Sequence, residues 1–260
     1  MKIACTYNPN NEKWIDEAVC HGISYMEIAT SKLPEKEDDE NAVITYALSQ
    51  GLTLNLHAPF GVNNISSTDC ARRASSMANV KHAIDLAAKH GLGTVTFHPG
   101  RLSDDAEDPK EGWVRLLEAV SEVVGYAKEK KVYVGLENME LRPYELVYTI
   151  EDLNRFAPLA VDNPYFGVTI DFAHYASHGI GLPDLSALKL PVYDVHLSRI
   201  VDKKMHSSLT TGDGIPNIGE VIRLLAAYGY DGLVVLELPD AWESAKALAA
   251  EVRSFEEARA

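Results

Sequence analysis

Imidazole and carboxylate side chains recur in this chain at the ends of short apolar runs. LNLHAP carries His57, TFHPG His98, GLEN Glu137, TIDFAH Asp171 and His174, DVHLS His196, and VLELPD Glu237. A further run, YMEIA, supplies Glu27, and His206 lies downstream of DVHLS. One such residue alone is most often a hydrogen-bonded structural group. As a set they are different, because carboxylates converging in a low-dielectric interior repel one another and resist burial unless a cation lies between them. A divalent metal resolves that conflict, and oxygen and imidazole donors without thiolate suit Mn, Co, Mg, Fe or Zn. Glu137, Asp171, His196 and Glu237, from four consecutive runs, form the minimal ligand set. Two glutamates on one metal can also do chemistry. The metal polarises a bound carbonyl and acidifies the neighbouring C–H, one carboxylate removes that proton and the other returns it, which is an isomerase or epimerase layout. If His57, His98, His174 and His206 recruit further metals, the chemistry becomes hydrolytic, since a bridged cluster activates water and clamps a phosphodiester.

The elements that must position these residues alternate along the whole chain. Eight β-rich runs are separated by segments of helical period: Lys2–Tyr7, Tyr25–Ala29, Thr53–His57, Thr94–His98, Val132–Glu137, Phe166–Asp171, Val192–His196 and Leu233–Glu237. Their spacing of about 33 residues fits one strand plus one helix each. The first run leads into TYNPNNEKW rather than a Gly-rich turn, so an α/β fold of the closed (β/α)8 TIM-barrel type is expected over an open doubly wound sheet, as one domain over residues 1–260. Pleat alternation sends Val192, Asp194 and His196 to one face and Leu233, Val235 and Glu237 to one face, so each strand-final ligand ends an inward row at the C-terminal mouth, where barrels build their sites. Thr68–His90, stopped by Gly91, and Pro109–Lys130, with its basic end, read as barrel helices.

Composition narrows the partners. The 260 residues hold 24 basic and 38 acidic side chains, a net charge of −14 that repels a polyanion at long range and disfavours nucleic acid relative to small polar substrates. There is no apolar run long enough for a membrane span, and the opening MKIACTYNPNNEK lacks the pattern of a signal peptide. Cys5, Cys20 and Cys70 form no C-x-x-C pair. A reduced, cytoplasmic protein is expected, compatible with an oligomer.

The mouth loops carry charge of both signs. SKLPEKEDDEN after the second run reads as a solvated loop and first helical turn, and after the fourth run Asp104, Asp105, Glu107, Asp108 and Glu111 stand against Arg101 and Lys110. Both rims read as acidic. SRIVDKKMHSS after the seventh is the basic rim, with Arg199, Lys203 and Lys204 beside Asp202, and suits a sugar phosphate or carboxylate as readily as DNA. In TTGDGIPN, Gly212 and Gly214 precede a helix, where turn chemistry is the plain account and a phosphate cradle the alternative. Trp14, Trp113 and Trp242 fall in helical segments, and Asn64-Ile65-Ser66 is a sequon by pattern only.

LHAPF, FHPG, GLEN, the D-x-x-H of IDFAH, VHL, HSSLTTGDG and the final VLE, in that order, resemble the xylose-isomerase-like TIM-barrel superfamily over essentially the whole chain. That superfamily holds sugar isomerases and epimerases, inosose dehydratase-like proteins and the apurinic endonuclease IV family. The resemblance implies a metal held by Glu137, Asp171, His196 and Glu237, with the two glutamates as acid and base, and His57, His98, His174 and Arg199 orienting a small sugar or sugar-phosphate substrate. It also implies an alternative. The nuclease family's zinc set is matched at His57, His98, Glu137, Asp171, His174, His196, His206 and Glu237, which would take two or more Zn and act on abasic DNA. Its D-x-H pair reads Lys204-Met205-His206 here, and its tyrosine after the first histidine is Phe60. A barrel that binds a sugar or metal without catalysis is the third reading.

Overall fold

The computed structural model describes residues 1–210, 213–238 and 241–257. The expected eight-stranded barrel closes from β1 (Lys2–Thr6), β2 (Tyr25–Ala29), β3 (Thr53–His57), β4 (Val95–Phe97), β5 (Val134–Glu137), β6 (Phe166–Asp171) and β7 (Val192–Leu197). After a hairpin of β8 (Arg199–Val201) and β9 (Lys204–Ser207), β10 (Leu233–Leu236) completes it. The order around the barrel is β1–β10–β7–β6–β5–β4–β3–β2, with every pairing parallel.

The helical layer is α1 (Trp14–Cys20), α2 (Glu37–Ser49), α3 (Cys70–His90), α4 (Pro109–Lys130), α5 (Ile150–Asn154), α6 (Phe172–Ser177), α7 (Ile218–Tyr228) and α8 (Ala241–Glu257). The long helices are punctuated as their sequence dictates. Asp69 caps α3 by accepting from the Ala71 and Arg72 amides, and Gly91 ends it at φ 64°. Asp108 caps α4 with Pro109 in its first turn, while Asn217 and Gly229 bracket α7. Among the described residues no helix is long and apolar enough to cross a membrane.

Alternation along the strands separates two environments. Met26 and Ile28, Leu54 and Leu56, Val95 and Phe97, and Val134 and Leu136 are buried in the apolar core shared with the helices. The intervening positions are polar yet equally buried: Glu27, Asn55, His57, Thr96, Glu137, Thr169, Asp171, Asp194 and His196. Gly135 belongs to this row for a steric reason, since a Cβ there would lie 2.2 Å from Thr169 Oγ1. The room it leaves lets Thr96 on β4 and Thr169 on β6 join hydroxyls over β5 at 2.9 Å.

Five strands differ at their ends from the sequence reading, the first of them because Tyr7 follows β1. Thr94 and His98 flank β4 rather than belonging to it, Val132 precedes β5, β7 runs on to Leu197, and Glu237 follows the last residue of β10. The basic stretch after β7, expected as a loop, is the β8–β9 hairpin, closed by Asp202 and Lys203 at φ 50° and 66°. Two non-glycine residues in the left-handed region form that turn, so the usual glycine signal is missing. Of the TTGDGIPN motif, Thr211 and Gly212 lie outside the described residues. Trp14, Trp113 and Trp242 do lie in helices α1, α4 and α8.

Candidate metal centre and its chamber

The last residues of β5 and β6, the fifth residue of β7 and the first residue past β10 meet at one point. Glu137, Asp171, His196 and Glu237 each offer a ligand atom, and these atoms all lie within 4.8 Å of one another. Atoms bound to a common ion at about 2.1 Å are at most about 4.2 Å apart, so small side-chain adjustments suffice. Three of the four residues are fully buried, while Glu237 keeps 19% of its side chain exposed.

The hydrogen bonding is dense around Glu137 and His196 and incomplete at Asp171. His196 Nδ1 lies 3.2 Å from Glu137 Oε1 and 3.6 Å from Glu237 Oε1, and its Nε2 lies 3.2 Å from Glu27 Oε2. Glu137 Oε2 faces the Nε2 atoms of His57 and His98 at 3.2 and 3.0 Å. His57 donates Nδ1–H to the Ala58 carbonyl at 2.7 Å and His174 donates Nδ1–H to the Asn138 carbonyl at 2.9 Å. Asp171 Oδ1 accepts from the His174 amide at 2.6 Å, capping α6, but its buried Oδ2 has no hydrogen-bond partner.

Electrostatics follow from this crowding. Burial alone would raise Glu137, but the His196 and His98 rings and the hydrogen bonds of His196 and His57 hold it well below the usual carboxylate range. Burial also opposes the charge on His196, yet Glu27, Glu237 and Glu137 keep its ring well above its ordinary value. His57, likewise buried, is pushed up to about 9 by Glu137, Glu27 and Glu237. Asp171 is raised by burial, with Glu137 and Glu237 adding to it against His174 and His196. A divalent cation fits this set: the donors are hard oxygens and one imidazole, and it would satisfy the orphaned Asp171 oxygen while neutralising the carboxylates.

Above the four residues opens a chamber of about 560 Å³, lined in part by His57, His98, His174, His206 and Glu237. Phe60 forms part of the wall, with its ring edge-on to His57 and stacked near His98. Trp14 is at the mouth too, anchored by Nε1–H donation to the Thr6 carbonyl at 2.9 Å and packed on Trp242. The rings of His174 and His206 are 5.7 Å apart. His206 adopts φ 52°, a conformation costly for a non-glycine residue.

Arg199 is not brought to this chamber. Its guanidinium donates to the Leu209 and Gly214 carbonyls at 3.2 and 2.9 Å, which braces the β8–β9 segment. Nor do Lys203 and Lys204 line the chamber, and of SRIVDKKMHSS His206 is the residue that does. Sequence reasoning missed Asn138. Its side chain bonds both the Asp171 carbonyl and the Asp171 amide at 2.9 Å, fixing the end of β6 against β5. Its place directly after the ligand in GLEN was the available signal.

Comparison with known proteins agrees with this architecture. The family model described as xylose isomerase-like TIM barrel matches residues 15–258. An uncharacterized protein of Methanocaldococcus jannaschii is 25% identical over 242 residues, covering 88% of this chain and 75% of that protein. Among solved structures, a D-tagatose 3-epimerase-like protein superposes with a TM-score of 0.87 at 21% identity, covering 100% of both chains. A D-psicose 3-epimerase from Clostridium cellulolyticum, solved with D-tagatose, gives 0.76 at 21% identity, covering 98% of this chain and 99% of that one.

Proposed function

The chain belongs to the xylose isomerase-like TIM barrel family, and from that premise we propose that it is a divalent-metal-dependent isomerase or epimerase of a small sugar or polyol derivative. The observation that carries this reading is the convergence of Glu137, Asp171, His196 and Glu237 beneath an open chamber. Structural neighbours with the same barrel include sugar epimerases, one solved with D-tagatose.

Glu137, Asp171, His196 and Glu237 would hold the metal, which when bound polarises a substrate carbonyl and acidifies the adjacent C–H. Glu237 is the carboxylate of the four that lines the chamber, and it takes the proton from that carbon. The electron pair of the broken C–H bond stays in the substrate as an enediolate. Glu137 is ionised and receives a proton from the charged His57 ring, whose Nε2 lies 3.2 Å from its Oε2. It returns that proton to the other face, or to the neighbouring carbon in an isomerisation. Glu237 releases the proton it took to solvent, and His57 is reprotonated before the next turnover. His57 and His174 each commit Nδ1–H to a backbone carbonyl, which fixes ring orientation for holding substrate hydroxyls.

The test is hydrogen exchange. Metal-loaded protein incubated with ketoses in D2O should place deuterium on the carbon next to the carbonyl. Glu237→Gln should slow this by about 10²–10⁴-fold, the usual contribution of a positioned acid or base. Exchange unaffected by Glu237→Gln would refute the assigned role.

One observation favours a second reading, a zinc-dependent phosphodiesterase of the endonuclease IV kind: His57, His98, His174 and His206 all face the same chamber. It requires cleavage of abasic duplex DNA that is lost with EDTA and in His98→Ala.

A further inference from the structure

The two rims that read as acidic present a different face to the chamber. From the loop after β2 the residue lining it is Lys32, and from the first turns after β4 it is Arg101. Several acids of those loops and of the first helical turns after them are engaged elsewhere. Asp104 accepts from the Ala106 amide, Asp105 from the Tyr144 hydroxyl, and Asp108 caps α4. Glu107 accepts from the Ser103 amide and pairs with Arg115, and Glu37 pairs with Lys89. Among the described residues, neither Lys32 nor Arg101 has a carboxylate within ion-pair distance. The Arg101 guanidinium makes one hydrogen bond, from Nη2 to the Gly61 carbonyl at 2.9 Å, which leaves most of its N–H groups uncommitted.

The other charges lining the chamber do not cancel these two. Arg142 is paired with Glu140, and Glu237 belongs to the metal set. Glu145, bridged through its backbone to Arg101, is pushed up to about 7 by burial against the opposing charges of Arg101 and Arg142, so it competes with an incoming anion for Arg101 less than an ordinary carboxylate would. In a chain of net charge −14, two unpaired cations turned into the chamber from loops otherwise rich in acid constitute a local field of the opposite sign. A neutral sugar hydroxyl gains little from such a field. An oxyanion gains charge-assisted hydrogen bonds, which are roughly twice as strong as neutral ones, and an arginine fork matches a phosphate or carboxylate in shape.

We propose that the substrate carries an anionic substituent, a phosphate or a carboxylate, which Lys32 and Arg101 hold on the chamber wall while its carbonyl end meets the metal centre. This rests on the isomerase reading for the sugar end and on the two cations alone for the anionic end. It departs from D-tagatose, the uncharged sugar seen with one structural neighbour.

The experiment is calorimetric binding to metal-loaded protein of four probes: D-fructose, D-fructose 6-phosphate, D-tagaturonate and inorganic phosphate. At least one charged sugar should bind tenfold or more tightly than D-fructose, and which one does so separates phosphate from carboxylate. Lys32→Ala and Arg101→Ala should each weaken that sugar by about tenfold and leave D-fructose unchanged, an internal control for folding, while Lys32→Arg restores affinity. Inorganic phosphate, which asks nothing of the sugar chemistry, should also bind more weakly to both alanine variants if phosphate is the group. Charged sugars that bind no tighter than D-fructose, or alanine variants that weaken charged and neutral sugars equally, would overturn the proposal. Anion preference without hydrogen exchange in D2O would instead sink the isomerase reading and leave the anion subsite standing.

Discussion

His196 turns its Nε2 toward Glu27, 3.2 Å from Oε2, with both side chains buried in the barrel. The opposite ring nitrogen faces Glu137 and Glu237, so Nε2 is free to donate to a carboxylate while Nδ1 meets a metal. A histidine ligand held this way has its tautomer and ring plane fixed and its basicity raised. Glu27 comes from β2, on the far side of β1 and β10 from β7, so the grip is made across the barrel interior.

Glu27→Gln should therefore weaken metal binding by about 10–100-fold, the usual cost of losing such a partner, while the fold persists. Competition with a fluorescent chelator measures it. Wild-type affinity in this variant would show that Glu27 is a structural group only.

Asp171 supplies the prediction on stability. Its Oδ2 is buried without a hydrogen bond, with His174 Nε2 no nearer than 3.8 Å, and burial raises its pKa, so in chelator-treated protein the ionised group opposes folding. Asp171→Asn keeps the Oδ1 cap on the His174 amide and removes the charge. We expect the EDTA-treated variant to melt higher than EDTA-treated wild type, by several °C for about 1–3 kcal/mol. Added Mn or Zn should raise the Tm of wild type and not of the variant. A variant that melts lower with EDTA present would contradict the frustration assigned to this oxygen.

Glu145 gives a pH dependence with a definite sign. Burial lifts its carboxyl from 4.5 to about 7, so between those values the folded chain keeps a proton that the unfolded chain releases. Its contribution to stability falls as pH rises from about 4.5 to about 7 and is flat above, by at most about 3 kcal/mol. Glu145→Gln should accordingly gain in Tm over wild type at pH 8 and show little difference at pH 4.5. An equal difference at both pH values would mean that the group does not titrate as its burial requires.

Much of the site was legible because strand alternation is strict. Once LNLHAP, GLEN and DVHLS are strands, His57, Glu137 and His196 must end inward rows, and the barrel closure brings those rows together. Glu237 and His98 line the chamber although each lies one residue beyond its strand. Charge in the loops was not legible. Composition marked SRIVDKKMHSS as the basic rim, but Arg199 folds back onto two backbone carbonyls, and from the acid-rich loops after β2 and β4 the charged residues that line the chamber are Lys32 and Arg101. Side-chain direction in a loop depends on caps and turns with no periodicity to reveal it. The β8–β9 hairpin was hidden for the same reason, its turn being built from Asp202 and Lys203 without a glycine.

Glu137, Asp171, His196 and Glu237 are proposed to hold a single divalent metal, and elemental mass spectrometry on protein purified without chelator or nickel resin counts it. About one Mn, Co, Mg or Zn per chain is expected in wild type, with most of it lost in Asp171→Asn. Two or three zinc ions per chain would make ligands of the outer histidines and favour the phosphodiesterase. Metal content that is absent from wild type even after incubation with each ion, or unchanged in Asp171→Asn, would contradict the site itself.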